Sequence, residues 1–221
     1  MSKQIRGVIL DIDGTLINSN DAHARAWVDA LHEVDIQVTF ADVRPLIGMG
    51  GDKLLPAIAN IEESSPLGQQ IGKRRAELFK AHYLPRVSSF AKTRELLLTM
   101  RGRGISLAVA SSASQAELAP LLAVANIGDL IEGATSSSDA ERSKPDPDIV
   151  RAALARLELA PARVIMLGDT PYDIEAAKRS ALGTVALRCG GRGDYELAGA
   201  LAIYDDPADL LRQFASSPFA S

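Results

Sequence analysis

Cysteine is nearly missing from this chain: Cys189 stands alone among 221 residues. An internal disulfide is excluded, Cys189 itself reads as an inert buried residue behind an apolar strand, and the cytoplasm is the expected setting. No apolar run reaches the roughly 18 residues that a bilayer-spanning helix needs. Nor does any N-terminal stretch join a basic flank to an apolar segment and a small-residue cleavage site, so no secretory signal is expected. Charge of one sign is not in excess, since 24 basic residues face 28 acidic ones for a net charge of −4, without long runs of either. That balance leaves no electrostatic footprint for nucleic acid or an anionic membrane. Repeats, low-complexity tracts and heptads are absent too. What remains is 47% apolar and 24% charged, enough for one large core or two modest ones. The expected partner is a small soluble molecule, and the expected state a monomer or homodimer.

Short, nearly continuous apolar runs recur at 7–13 (GVILDID), 105–112 (ISLAVASS), 163–169 (RVIMLGD) and 184–189 (TVALRC). Runs of this kind suit strands covered on both faces. Between them lie amphipathic patterns. The segment 91–104 carries Leu96, Leu97 and Met100 on one face, 146–159 carries Ile149, Ala153, Leu154 and Leu157, and 171–183 ends with Gly183 at the position expected to close a helix. Strand alternating with helix predicts an α/β fold with a doubly wound parallel sheet. Residues 18–88 break the rhythm. They hold helical patterns (Trp27, Ala30, Leu31, Val34; Leu54, Leu55, Ile58; Leu67, Ile71, Leu78, Phe79) and no persuasive strand. They are expected to form an all-helical cap inserted into an α/β core made of residues 1–17 and 89–221, with two neighbouring crossings acting as a hinge.

Ligands of open parallel sheets bind beyond the carboxyl ends of the strands. Asp11 and Asp13 follow the first run, Ser111 and Ser112 the second, and Gly168, Asp169, Thr170 and Asp173 the third, while Lys144 lies in the SKPDPD segment at 143–148. Each has an ordinary alternative: a turn or cap for the acids and serines, a solvated loop for the lysine, a helix-dipole partner for Asp173. Together they deliver carboxylates, a hydroxyl and an ammonium from four segments to one sheet edge. Such carboxylates repel one another unless a divalent cation is held among them, and Mg²⁺ prefers hard oxygen ligands with water and phosphate. With a phosphoryl group on that ion, one aspartate can attack phosphorus while a second handles the leaving group's proton. Lys144, Ser111 and backbone N–H groups near Gly14 can then neutralise the transferring oxygens.

These stretches resemble the four motifs of the haloacid dehalogenase superfamily, in order and across nearly the whole chain: DIDGTLINS at 11–19, LAVASS at 107–112, RSKPDPD at 142–148 and MLGDTPYD at 166–173. The insert is similar to the small helical cap of phosphoglycolate phosphatases and β-phosphoglucomutases. The resemblance implies Asp11 as nucleophile, Asp13 as general acid and then base, and Ser111 and Lys144 as phosphate holders. It implies Mg²⁺ bound by Asp11, Asp169 and the backbone carbonyl of Asp13, with Asp173 as a further ligand or anchor. Gly14, Thr15 and Ser112 are expected beside the phosphate, and His23, Gly51, Asp52 and Lys53 are candidate cap contacts to substrate.

Departures from the family's patterns choose among its activities. Asp13 argues for phosphate esters and against dehalogenation or phosphonate hydrolysis, although Lys53 resembles the Schiff-base lysine of the phosphonate enzymes. The cap loop reads GMGGDK at 48–53, with Gly51 near where the mutases carry an arginine for a second phosphate. Gly168 precedes Asp169 where mutases tend to have an acidic pair. Both favour a phosphatase for small phosphorylated acids, sugars or polyols. A mutase, with Lys53 or Arg44 as substitute clamp, a dehalogenase and a non-catalytic phosphate-binding module remain as alternatives. Asn18 replaces the usual aspartate.

Overall fold

The computed structural model describes residues 4–136 and 139–220; residues 1–3, 137–138 and 221, which fall in the expected core, lie outside the described residues. Six strands form one all-parallel sheet: β1 (Gly7–Leu10), β2 (Ser106–Ala110), β3 (Gly133–Thr135), β4 (Val164–Gly168), β5 (Gly183–Leu187) and β6 (Ala202–Tyr204), in the order β3-β2-β1-β4-β5-β6. The four central strands read as unbroken apolar runs because both sheet faces are covered. Val8 and Leu10, Leu107 and Val109, and Ile165 and Leu167 enter one apolar cluster. Their alternates Ile9, Ala108, Ala110, Val164 and Met166 enter the cluster on the other face. The edge strands β3 and β6, three residues each, carry no such run.

Helices α5 (Thr93–Gly102), α6 (Gln115–Ala125), α7 (Asp148–Leu157), α8 (Pro171–Arg179) and α9 (Pro207–Arg212) cover the sheet. The inward residues expected for α5 are buried, as are Ile149, Ala153 and Leu157 of α7. Gly183 does not close α8: it opens β5, and the left-handed residue after the helix is Ala181, at φ 60°. A Cβ at Gly183 would stand 2.4 Å from Cδ1 of the exposed Leu201, whose side chain would have to turn aside.

Between β1 and α5 lie α1 (Asn20–His32), α2 (Phe40–Val43), α3 (Gly51–Ala59) and α4 (Pro66–Leu78), the last continued by a π-helical turn at Phe79–Tyr83. Their inner residues, among them Trp27, Leu31, Leu54, Leu55 and Ile71, form a third apolar cluster separate from the two that cover the sheet. Leu67, expected on that inner face, is exposed. The chain enters and leaves this segment side by side: Asn18 N donates to Ser88 O at 2.9 Å and Phe90 N to Leu16 O at 3.0 Å. Phe79 leaves the pattern of its helix and joins the sheet cluster with Leu16, Ile17 and Ala26. It is fully buried and stacks on His23 with ring centroids 4.0 Å apart. Phe79→Ala is therefore expected to cost about 3–5 kcal/mol, the range for emptying a buried aromatic site, measurable by urea unfolding.

Candidate active site

Strand order reverses at β1, so the crevice beyond its carboxyl end is where an open parallel sheet leaves room for a ligand. Asp11 sits there, its backbone N still paired with Leu167 O at 2.9 Å. Lys144, from the loop before α7, is 1% exposed. Its Nζ donates to Asp11 Oδ1, to Asp173 Oδ1 at 2.8 Å and to Ala110 O at 3.3 Å. A buried lysine is costly unless paired, and here the two carboxylates outweigh burial and hold the ammonium above its ordinary pKa.

Thr15 Oγ1 stands 3.0 Å from both Asp11 Oδ2 and Asp169 Oδ1, tying the ends of β1 and β4 together. A hydroxyl has one proton, so it donates to one of them at a time. Asp169, fully buried, also accepts from Asn20 Nδ2 at 2.9 Å. Asp173 caps α8, its Oδ2 accepting from Thr170 N at 3.0 Å and Thr170 Oγ1 at 2.6 Å, which leaves Oδ1 for Lys144. Two glycines make the packing possible. Gly14 has φ +84°, and a Cβ there would lie 2.3 Å from Asp169 Oδ2. A Cβ on Gly168 would lie 2.6 Å from the Cβ of Asp173, so no acidic residue fits at that position without moving Asp173.

Asp11, Asp169 and Asp173 each offer a carboxylate oxygen, all within 4.8 Å of one another. Burial raises Asp11 to about 7, against the pull of Lys144 and with Asp173 and Asp13 adding to the rise. Burial and the charges of Asp11 and Asp173 push Asp169 well above the ordinary carboxylate range. Ionised together, the three carboxylates would carry more negative charge than one ammonium compensates, which adds to the rise at Asp11 and Asp169.

Asp13 lines the same crevice with different partners. Its Oδ1 meets His23 Nε2 at 2.9 Å and accepts from Ser19 Oγ. Burial opposes ionisation of Asp13, but the adjacent His23 and the Ser19 hydroxyl outweigh it and lower its pKa. Ser111 is buried at the end of β2, its Oγ accepting from Ala113 N at 3.1 Å; Ser112 Oγ donates to Gly48 O at 3.2 Å.

The crevice beside Asp11 and Asp13 is walled by His23, Trp27, Ile47, Met49, Arg75 and Ser112, and Gly51 reaches it as well. Asp52 and Lys53 do not line it; they bond to the loop that carries Lys144. Trp27 belongs both to the insert's apolar cluster and to the crevice wall. The cation facing the crevice from the insert is Arg75, which sequence reading missed. Its Nη1 donates to Glu117 Oε1 of α6 at 2.6 Å, and its guanidinium lies 5.2 Å from the Trp27 ring centroid. Asn20 was missed too. Neither residue stands in a recognisable motif, so no local signal marked them. Arg44, a candidate substitute clamp, is spent on Asp21 Oδ1 at 2.6 Å and Gly190 O at 2.6 Å.

The parallel sheet thus carries an acid-lined crevice at its switch point. The family model of the haloacid dehalogenase-like hydrolases matches residues 8–187, and the chain belongs to that family. SUPPRESSOR OF QUENCHING 1, a chloroplastic protein of Arabidopsis thaliana, is 30% identical over 189 residues, covering 84% of this chain but only 18% of its own length. A phosphoglycolate phosphatase of Rhodospirillum rubrum is 29% identical over 214 residues, covering 93% of this chain and 89% of its own. A hydrolase from Pseudomonas syringae superposes with a TM-score of 0.89 at 26% identity, covering 96% of this chain and 99% of its own. Among the described residues no helix is long and apolar enough to cross a membrane.

Proposed function

We propose that the protein is a Mg²⁺-dependent phosphatase of small phosphate monoesters, such as phosphoglycolate and sugar or polyol phosphates, working in the cytoplasm. The observation that carries the reading is the Asp11–Lys144–Asp173 arrangement beside Asp169, a buried nucleophile candidate flanked by a cation and by carboxylates suited to a second one. The donor set fits Mg²⁺, because it is made of buried carboxylate oxygens that, ionised together, would carry more negative charge than Lys144 compensates. Asp11, Asp169 and the Asp13 carbonyl would hold the ion, with Asp173 anchoring Lys144. Bound there, Mg²⁺ supplies charge neutralisation to the phosphoryl oxygens.

In the first step an Asp11 carboxylate oxygen forms a bond to phosphorus and the ester P–O bond breaks. The leaving alkoxide takes a proton from Asp13, which the substrate-free site holds ionised and which must therefore gain that proton, from solvent or across the His23 contact, as the ester binds; an aspartyl-phosphate remains on Asp11. In the second, water attacks phosphorus, Asp13 takes the water's proton, and orthophosphate leaves with Asp11 restored. Lys144, Ser111 and the backbone N–H of Asp13 would receive the phosphoryl oxygens, since the N–H groups of Gly14 and Thr15 already donate to Ile17 O at 2.8 Å and Ile12 O at 3.3 Å. His23 would hold Asp13 in place. Residues 18–88 would act as a cap that sheds bulk water from the crevice while closed and releases product on opening. The R. rubrum relative is named for phosphoglycolate hydrolysis; Arg75 lines the crevice, but both its terminal nitrogens bond Glu117, so it would meet the carboxylate of such a substrate only by sharing or leaving that pair.

The test is phosphate release from a panel of phosphoglycolate, sugar phosphates, polyol phosphates and nucleotides. Release with Mg²⁺ that disappears on EDTA is expected. Silence across the panel from folded protein, together with isomerisation of a sugar monophosphate primed by a bisphosphate, would replace the phosphatase by a mutase.

A further inference from the structure

The first turn of α3 holds the loop that carries Lys144 from both sides. Before the lysine, Ser143 donates its hydroxyl to Asp52 Oδ1 and its backbone N to Asp52 Oδ2 at 3.2 Å, while Gly50 N donates to Ser143 Oγ at 3.0 Å. After it, Lys53 Nζ donates to Asp146 Oδ2 at 2.6 Å. The other oxygen of Asp146 accepts from Arg179 Nη1 at 3.0 Å, and Arg179 ends α8, the helix that begins beside Asp173. The insert is thus bonded on both sides of Lys144, to the backbone N and hydroxyl of Ser143 before it and to the side chain of Asp146 after it, and the ammonium is held by Asp11 and Asp173.

We propose that Asp52 and Lys53 are positioning residues. Seating α3 on residues 143–146 sets Lys144 at the phosphoryl site, so the insert completes the end of the site shared by every substrate. The inference rests on the reading of Lys144 as a phosphoryl-binding cation. Three features support it. Asp52 and Lys53 turn away from the crevice wall, although Gly51 beside them reaches it. The Lys53–Asp146 pair is partly solvated, with Lys53 32% exposed, so it is poorly placed to serve stability. A long lysine side chain has many rotamers to lose, and a loop already bonded on both sides leaves less freedom to remove when the phosphoryl group arrives.

The test compares Lys53→Met, Asp52→Ala and the conservative Asp52→Asn with wild type, on phosphoglycolate, glycerol phosphate and p-nitrophenyl phosphate. For Asp52→Ala kcat is expected to fall about 10- to 100-fold, and for Lys53→Met, whose pair is partly solvated, about 2- to 5-fold, in each case by the same factor for all three esters and with KM little changed, because the displaced group serves the shared phosphoryl end. Asp52→Asn, which keeps an acceptor for the Ser143 hydroxyl, should recover part of the loss. A loss carried by KM and varying with the leaving group would make these side chains substrate contacts and overturn the proposal. Amide hydrogen exchange without any ester present gives a readout independent of turnover. Backbone amides of 143–149 should exchange faster in Lys53→Met and Asp52→Ala, and unchanged exchange overturns the grip whether or not the wild type is active. Inactivity of the wild type on every ester would instead remove the phosphatase reading while the exchange result still judges the grip.

Discussion

Asp11→Asn is expected to lower phosphate release by at least about 10⁴-fold, the scale on which removal of a covalent nucleophile acts. The amide has nearly the shape of the carboxylate, so the fold should survive: Asp173 Oδ1 still pairs Lys144, and Thr15 keeps Asp169 Oδ1 as an acceptor. Circular dichroism and the unfolding midpoint check this directly. The chemistry fails for a specific reason, since an amide oxygen is a far poorer nucleophile and leaves no anion to bond phosphorus. Trapping the reaction in acid should show phosphate covalently bound to wild type and none on the variant. Turnover of Asp11→Asn within 10-fold of wild type, without deamidation detected by mass spectrometry, would remove Asp11 from the reaction.

Asp13→Asn should separate leaving groups. The expected loss is about 10²- to 10⁴-fold for alkyl esters such as glycerol phosphate, the range for a positioned general acid. With p-nitrophenyl phosphate the departing phenolate needs no proton, so formation of the aspartyl-phosphate should be far less impaired. Its hydrolysis still lacks a base, and a burst of nitrophenol followed by slow turnover is the expected trace. Equal losses for both esters, without a burst, would mean that Asp13 only shapes the loop. Ser19 and His23 both hold the Asp13 carboxylate, so His23→Ala should reproduce a weaker version of the same pattern.

The sequence disclosed the elements whose information is local. Central strands need apolar residues on both faces, and the groups at their carboxyl ends lie within a few positions of those runs, so Asp11, Asp13, Ser111, Asp169 and Asp173 fall where strand ends predict. Edge strands bury less, and β3 and β6 accordingly left no run to read. Helix α6 is apolar around most of its circumference and carries Pro120 midway, so no periodic stripe marked it. The remaining gaps concern the insert. Where Arg75 meets Glu117 or Lys53 meets Asp146 depends on how the helices between β1 and α5 are laid against the rest of the chain, across 42 and 93 residues. No spacing inside either segment encodes that orientation. The same gap explains why Asp52 and Lys53, read from their loop as substrate contacts, are found bonded to the Lys144 loop.

The paired crossings at Leu16–Asn18 and Ser88–Phe90 make the insert, from the sheet's side, a loop whose two ends are already joined. Closing such a loop costs an entropy that grows only with the logarithm of its length. Lengthening or rebuilding what lies between those ends therefore places little burden on β1 and its aspartates. Selectivity can drift by replacement of an entire segment while the reactive edge of the sheet stays as it is. The limit on that drift is what any replacement segment would have to supply again: the bonds of α3 to residues 143 and 146, those of α1 to Asp13 and Asp169, and the packing of Phe79.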